Sequence, residues 1–499
     1  MDLPHYDVLI IGAGLSGVGM ACQLAKECPT KRIAILERRE SLGGTWDLFR
    51  YPGIRSDSDM FTFGFGFRPW RSLKVLADGP SIRQYITETA REFGVENKIQ
   101  YGLKVQRADW SSARARWTVT ALHEASGQVR EVTARFVVMG TGYYNYDAGY
   151  LPEFPGLEQF KGTRIHPQFW PENLDYTGKR VVVIGSGATA VTLVPSMADK
   201  AEHVTMLQRS PSYVFSLPNH DKITEVLQKF MPESWTHRIT RMRNLKFYRW
   251  SYKAAQRWPK AMRRLLQGAV KRAVGPEFDM AHFTPRYNPW DERLCAVPDG
   301  DLFAALRKGK ASIVTDLIDT FTPDGIRLKS GKELKADIVI TATGLQMQTF
   351  GGMEVRVDGV AQHVEQKKMY KAVLLEDLPN FASIVGYTNL SWTMKADLAS
   401  AYVCRLINHL DQKGVDVATP VDREGCTLEE SIFGSLRSGY VQRGRLKIMR
   451  QGSKAPWAVT HNYETDRPML LEEPIADGVL QFTAAGQPIA KVLELARAA

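Results

Sequence analysis

Two glycine-rich loops carry the most specific chemistry in this chain. The first, GAGLSG (Gly12–Gly17), follows the apolar run VLII (Val8–Ile11) and precedes the helix-like stretch GMACQLAKEC. A second apolar run, IAIL, ends in Glu37, twenty residues beyond Gly17. This is the βαβ dinucleotide fingerprint. Gly12 allows the tight turn, Gly14 lets the backbone approach a pyrophosphate, and Gly17 permits close packing of helix on strand. The helix N-terminus faces the phosphates, and Glu37 is placed to accept hydrogen bonds from ribose hydroxyls. The second loop, GSGATA, runs from Gly185 through Ser186, Gly187, Ala188 and Thr189 to Ala190, which stands in the third glycine position. It follows VVVI, and the next strand, HVTML, leads to Gln208 and Arg209 where the first unit has its glutamate. An acid there would repel a 2′-phosphate, whereas an arginine grips one through charge-assisted hydrogen bonds. The second dinucleotide is therefore expected to be NADPH. A solvated charge at a strand end is the alternative reading of Arg209.

Two nucleotide sites in one chain imply electron transfer from a nicotinamide to a second redox cofactor, most simply FAD at the N-terminal loop. The segments FVVMGTG (136–142) and DIVITATG (337–344) look like the return crossings of such two-dinucleotide flavoproteins, each ending in glycine beside the cofactor. Dithiol chemistry is excluded as the main activity. A flavin disulfide reductase needs a cysteine pair shortly after the first acidic residue, and ERRESLGGTWDLFRYPGIRSDSD contains none.

The elements that position these loops have to come from a chain of 499 residues, too long for one core and sized for two or three domains. A hydrophobic content of 44% and a charged content of 24% are ordinary for a soluble globular protein. Apolar runs are strand-sized and far short of a membrane span. MDLPHYDVLIIGAG has no basic leader and enters a strand directly, so a cytoplasmic location is expected. Cys22, Cys28, Cys295, Cys404 and Cys426 form no CxxC pair, which argues against a disulfide framework and a metal site. The net charge of +11 is local. Twelve Lys or Arg and no acid lie between Glu233 and Glu277, so nucleic acid is not an expected partner.

Between the two loops lies FKGTRIHPQFWP (Phe160–Pro171), which fits FxGxxxHxxxW(P/D) with Phe160, Gly162, His166, Trp170 and Pro171 all in place. With GGTWDLFRYPGIRSD (43–57) and both glycine loops, the chain resembles the Baeyer–Villiger monooxygenases over nearly its whole length. SGATAVTLVP, NPWDERLC and GYTNLSWTMKADL make it similar to the mycobacterial branch that activates thioamide prodrugs. The resemblance implies FAD, NADPH and O2, and conversion of ketones to esters or lactones through a C4a-peroxyflavin. Sulfide or thioamide S-oxidation is an implied side activity, and an N- or S-oxygenating flavin monooxygenase is the alternative. It also implies roles for single residues. Arg293 matches the active-site arginine, a charged planar fork suited to a peroxide anion and an oxyanion. Asp57 matches the aspartate that orients it, and His166 is assigned a role in coupling the two units, with Gly162 supplying a hinge. Glu292 stands where the family often carries lysine, which puts a second cationic contact to NADP in doubt. Thr45, Trp46, Asp47 and Leu48 are expected around the flavin. Ser16, Arg55, Ser56 and Val105 are expected to join the first dinucleotide site, and Ser210 the second. Trp392 and Asn389 are candidate walls, and Cys295 is read as packing.

The expected architecture is two doubly wound α/β dinucleotide-binding units with a helical insertion. FAD would be held by residues 1–150 and 346–499, and NADPH by 151–214 and 299–345, with helices over 215–298. Within that insertion, a helix from Pro259 places Met262, Leu265, Leu266, Ala269 and Val270 at helical spacing, with Lys260, Arg263, Arg264, Lys271 and Arg272 on other faces. Two readings stay open. Its stripe packs on the second unit while the charges are solvated, or it docks reversibly on an anionic membrane.

Overall fold

The computed structural model describes residues 3–434 and 436–498. The first glycine loop joins β1 (His5–Ile11) to α1 (Leu15–Glu27), and β2 (Ile33–Leu36) lies parallel to β1 with Val8 opposite Ile33. Side chains alternate across a strand, and here both faces are apolar: Val8 and Ile10 enter one core, Leu9 and Ile11 the other. That explains an unbroken VLII where a half-exposed strand would alternate. Three helices, α2 (Thr45–Leu48), α3 (Met60–Phe63) and α4 (Gly79–Glu92), follow. The short β3 (Ile99–Gln100) extends the sheet beyond β2.

Next come β4 (Leu103–Ser111), β5 (Arg116–His123) and β6 (Gln128–Met139). They are joined by tight turns and therefore pair antiparallel, since a parallel pair needs a long crossover. β6 then runs parallel to β1. The first sheet is thus mixed, a doubly wound parallel part carrying an antiparallel meander. Its strand order reverses at β1, with β2 on one side and β6 on the other, which opens a crevice at the carboxyl ends.

After β7 (Tyr144–Gly149) the chain builds a second, wholly parallel sheet in the order β13-β10-β9-β17-β8. Its members are β8 (Thr163–Ile165), β9 (Arg180–Ile184) and β10 (His203–Gln208), with α5 (Ala188–Met197) between the last two. From β11 (Val214–Leu217) the chain makes a helical excursion of α6 (Lys222–Phe230), α7 (Glu233–Arg257) and α8 (Pro259–Val274). It returns on β12 (Cys295–Pro298), which pairs with β11. α9 (Asp301–Arg307) and β13 (Ala311–Thr315) follow, then the hairpins β14 (Ile318–Thr322), β15 (Gly325–Leu328) and β16 (Glu333–Lys335), and finally β17 (Ile338–Thr341). Val181 and Val183 face one core of this sheet, Val182 and Ile184 the other.

β18 (Leu345–Met347) pairs with β7, so the exit from the first sheet and the return from the second run side by side. The chain then adds residues 354–357 and 360–361 beyond β4 and 381–383 beside β6. It packs α10 (Trp392–Lys413) on α1 and ends its approach to the centre with α11 (Gly439–Gly444). Helix α8 opens on Pro259 as expected, but its stripe is split. Val270 and Val274 are buried, whereas Leu265 is 62% exposed.

Candidate active site

Both glycine loops open into one cavity of about 1040 Å3. From the first unit, Gly12, Gly14, Ser16, Glu37, Thr45 and Trp46 line it, with Asp57 and Val105. From the second come Gly185, Ser186, Gly187, Ala188, Thr189, Arg209 and Ser210, together with Arg293. Gly17 and Ala190 do not reach the cavity. Gly17 serves packing, for a Cβ there would lie 1.8 Å from the Gly12 carbonyl oxygen, and Ala190 is buried in the second unit's core.

Four further expectations are corrected in detail. Asp47 points away from the cavity into a cluster of cations, 2.7 Å from Arg39 Nε, 3.2 Å from Arg83 and 3.4 Å from Arg50. Leu48 packs against the second unit's core. Arg55 donates to Asp301 at 2.5 Å, and Ser56 Oγ donates to the Ser58 carbonyl at 2.8 Å. All four lie off the cavity lining, and Arg55 and Ser56 tie down the loop that presents Asp57 into it. Asn389 also lies off the lining, its amide donating to the His461 carbonyl at 3.0 Å. Trp392 does line the cavity and donates to Ser16 Oγ at 2.8 Å. Cys295 is buried yet also lines the cavity, and burial pushes its thiol up to about 12.

Arg293, just before β12, and Asp57 meet at the cavity wall. Arg293 Nη1 stands 4.0 Å from Asp57 Oδ2, and both side chains are about a third exposed, at 33% and 36%. Its Nε is buried without a hydrogen-bond partner. Burial works against its charge, but the negative charges available around it, the Tyr440 and Tyr143 phenols once ionised and the Asp57 carboxylate, outweigh that and raise its pKa. Tyr143, Tyr144 and Tyr440 form a hydroxyl cluster beside it, with Tyr144 donating to Tyr143 at 3.1 Å. Burial raises all three phenols, so at neutral pH they are donors. The sequence did carry a signal for two of them, the tyrosine-rich YYNY after the first return crossing. Tyr440 comes from a distant helix, and no spacing links it to Arg293.

At the first loop, Glu37 is buried. Its Oε2 accepts from the Ala13 amide at 2.6 Å and its Oε1 from the Arg39 amide at 2.8 Å. Burial raises its carboxyl, while those two amides hold it down. Each oxygen keeps a lone pair for a further donor. At the second loop, Arg209 is exposed and makes no ion pair among the described residues. A second cation, missed in the sequence, shares this end of the cavity. Arg443 lies over the Tyr150 ring at 3.6 Å, again with no ion pair among the described residues, and the Arg209 charge lowers its pKa after burial does.

These residues fit two dinucleotides. Gly142 and Gly187 line the cavity, yet a Cβ at either would meet no protein atom within 4 Å, so their bare backbone leaves room for a ligand. Acceptors at Glu37 face one loop and unpaired guanidinium groups the other. The aromatic side chains of Trp46, Phe63 and Trp392 wall the space between.

His166 lies off the cavity. Its Nδ1 accepts from the Gln168 amide at 3.2 Å, which leaves Nε2 to donate to the Gly344 carbonyl at 3.2 Å. The ring occupies the space beside Gly149, where a Cβ would come within 2.1 Å of it. It therefore clamps the paired ends of β7 and β18, and burial keeps it neutral by lowering its pKa. Gly162 is not a hinge glycine. Its φ is outside the left-handed region, and it is needed for space, since a Cβ would sit 2.5 Å from the Asp337 carbonyl oxygen.

The sequence profile of the flavin-binding monooxygenase-like family matches residues 76–411, and that of an NAD(P)-binding Rossmann-like domain matches residues 10–78. The chain is 61% identical over 487 residues to the FAD-containing monooxygenase MymA of Mycobacterium tuberculosis, covering 97% of this chain and 98% of that one. It is 50% identical to the FAD-containing monooxygenase EthA of the same organism, covering 97% and 99%. Among solved structures, an oxidized steroid monooxygenase bound to NADP superposes with a TM-score of 0.77 at 21% identity, covering 96% of this chain and 100% of that chain, and so shares the fold. With the profile spanning two thirds of the chain and these relatives nearly all of it, the protein belongs to the flavin-binding monooxygenase-like family and is a flavin monooxygenase.

Proposed function

We propose that this flavin monooxygenase inserts one atom of O2 beside the carbonyl of a ketone, giving an ester or lactone, and oxidises sulfur in sulfides or thioamides as a second activity. Its cofactors are FAD and NADPH. The overall balance is ketone, O2, NADPH and a proton to ester, NADP+ and water. When bound and reduced, the flavin supplies the activated oxygen.

The observation that carries this reading is the Arg293–Asp57 pair, 4.0 Å apart and set between the two nucleotide loops. The rest is the work of this chain's own groups. A carbonyl carbon attacked by an oxygen nucleophile develops an oxyanion, and Arg293 presents a permanently charged planar fork to it. Asp57 restrains that fork and holds its charge in a partly buried site. The Tyr143 and Tyr440 hydroxyls add neutral donors beside it. Trp46, Phe63 and Trp392 add apolar walls to the same space.

At the other end, Arg209 and Arg443 form a two-guanidinium grip for the 2′-phosphate. Arg443 thereby supplies the second cation that Glu292 removes from its usual place. His166 couples the two units by tying the β7 and β18 crossings together, and it takes no part in proton transfer because its ring faces the backbone. The test is NADPH oxidation with product analysis across linear, cyclic and aryl ketones and a sulfide. Ester or lactone formation supports the reading. Sulfoxide formation with no ester from any ketone would instead make the protein an S-oxygenating monooxygenase.

A further inference from the structure

The helical excursion is built inside out. In α6, Ile223, Val226 and Phe230 share one face at three- and four-residue spacing, and they are 61, 52 and 81% exposed. Meanwhile Thr224 on the opposite side is fully buried, its hydroxyl 2.9 Å from that of Thr240 on α7. Helix α7 repeats the inversion. Thr236, His237, Thr240 and Arg249 are buried beside Leu245, Ala254 and Ala255, while the large apolar Trp235, Ile239, Met242 and Trp250 are exposed along one stripe. Of twenty exposed large apolar side chains among the described residues, eleven lie between residues 223 and 265. Single exposed apolar residues need no explanation, but a concentration of this kind marks a surface that is covered in use.

The charge around this face selects its partner. Lys246, Lys253 and Arg257 continue the α7 stripe, and Arg238, Lys260 and Arg264 flank it, all exposed. Among these, only Lys253 has an acidic neighbour within ion-pair distance among the described residues, Glu464 at 3.8 Å. A second copy of the chain would bring the same positive face and be repelled. We infer that the outer face of α6, α7 and the start of α8 docks on an anionic lipid surface, with tryptophans Trp235, Trp250 and Trp258 at the headgroup level. No helix among the described residues is long and apolar enough to cross a membrane, so the helices lie in its interface.

This placement puts lipid next to the chemistry. The inner side of α7 reaches the loop that carries Asp57. Asn244 donates to Asp59 Oδ1 at 2.8 Å, and Arg241 donates to the Phe61 and Gly64 carbonyls at 2.9 and 2.8 Å. One helix therefore separates the lipid-facing stripe from the segment that carries Asp57.

The experiment is co-sedimentation of the flavin-loaded protein with vesicles of phosphatidylcholine alone or mixed with phosphatidylglycerol, at low and high salt. Binding is expected to the anionic vesicles at low salt, to weaken at high salt, and to shift tryptophan emission to the blue. Lys246→Gln and Arg257→Gln should each weaken it about fivefold, the equivalent of about 1 kcal/mol per basic residue near such a surface. Phe230→Ser and Trp250→Ser, both remote from the cavity lining, should weaken it while leaving NADPH oxidation unchanged. Three results overturn the inference. The protein stays in the supernatant with anionic vesicles at low salt. It binds equally after the four substitutions. Or light scattering shows self-association that Phe230→Ser abolishes, with no vesicle binding.

Discussion

Replacing Asp57 with asparagine tests the core of the proposed chemistry, because it removes one charge and almost no volume. At the 4.0 Å separation from Arg293, the attraction of two unit charges is about 1 kcal/mol in water and about 4 kcal/mol at an effective dielectric of about 20. Both side chains are about a third exposed, so screening favours the lower part of that range, about 1–2 kcal/mol. Expressed wholly in the reacting complex, that loss is a fall in kcat of about 5- to 30-fold. The assay is ester formation measured beside NADPH consumption, with flavin content as the control for folding. The expected signature is slower ester formation with unchanged flavin content, and a growing share of NADPH consumed without product. Arg293→Lys keeps the charge and loses the fork, and Arg293→Ala should abolish ester formation altogether. If Asp57 acts through the fork, its substitution in the Arg293→Lys background should cost less than in the wild type, with a coupling of about 1–2 kcal/mol. Unchanged kcat in Asp57→Asn, or effects that add within about 0.5 kcal/mol, would refute the orienting role.

Four more perturbations test other parts of the structure. Arg209→Ala should raise the KM for NADPH by the equivalent of about 1–3 kcal/mol and leave NADH almost unaffected. Arg443→Ala should act in the same direction, and an unchanged NADPH-to-NADH ratio in both would remove the two-guanidinium grip. Glu37→Ala orphans the buried Ala13 and Arg39 amides, so the flavin-to-protein absorbance ratio and the Tm should both fall, and full flavin retention would contradict the assignment. His237 is buried with neither ring nitrogen partnered, and burial lowers its pKa to about 4. Unfolding lets it take a proton near its ordinary value of about 6.5, so its contribution is complete above that pH and is lost as pH falls towards 4. The contribution is about 3 kcal/mol, and His237→Leu should flatten the dependence of Tm on pH between those values. A variant with the wild-type slope would show that another group controls the acid limb.

The parts of the site legible in the sequence are those whose function is local. A βαβ turn places its glycines, its helix N-terminus and its acid or arginine within one short stretch, so Gly12, Gly14, Glu37, Gly185 and Arg209 could be read from spacing alone. Neighbours within a motif were harder, because successive side chains point to different faces. That is why Asp57 enters the cavity while Arg55 and Ser56 brace its loop, and why Asp47 turns into an arginine cluster beside cavity-lining Trp46. Tertiary structure alone brought Tyr440 and Arg443 to the site, since the C-terminal part of the chain returns to the centre after the whole second sheet has been built. It also decided the polarity of the helical excursion. An apolar stripe on a helix carries no information about which side its neighbours occupy. Here Thr224, His237, Thr240 and Arg249 took the inner positions through hydrogen bonds and burial. Phe230, Trp235 and Trp250 were left facing out, because the orientation of an amphipathic helix is set by what packs against it.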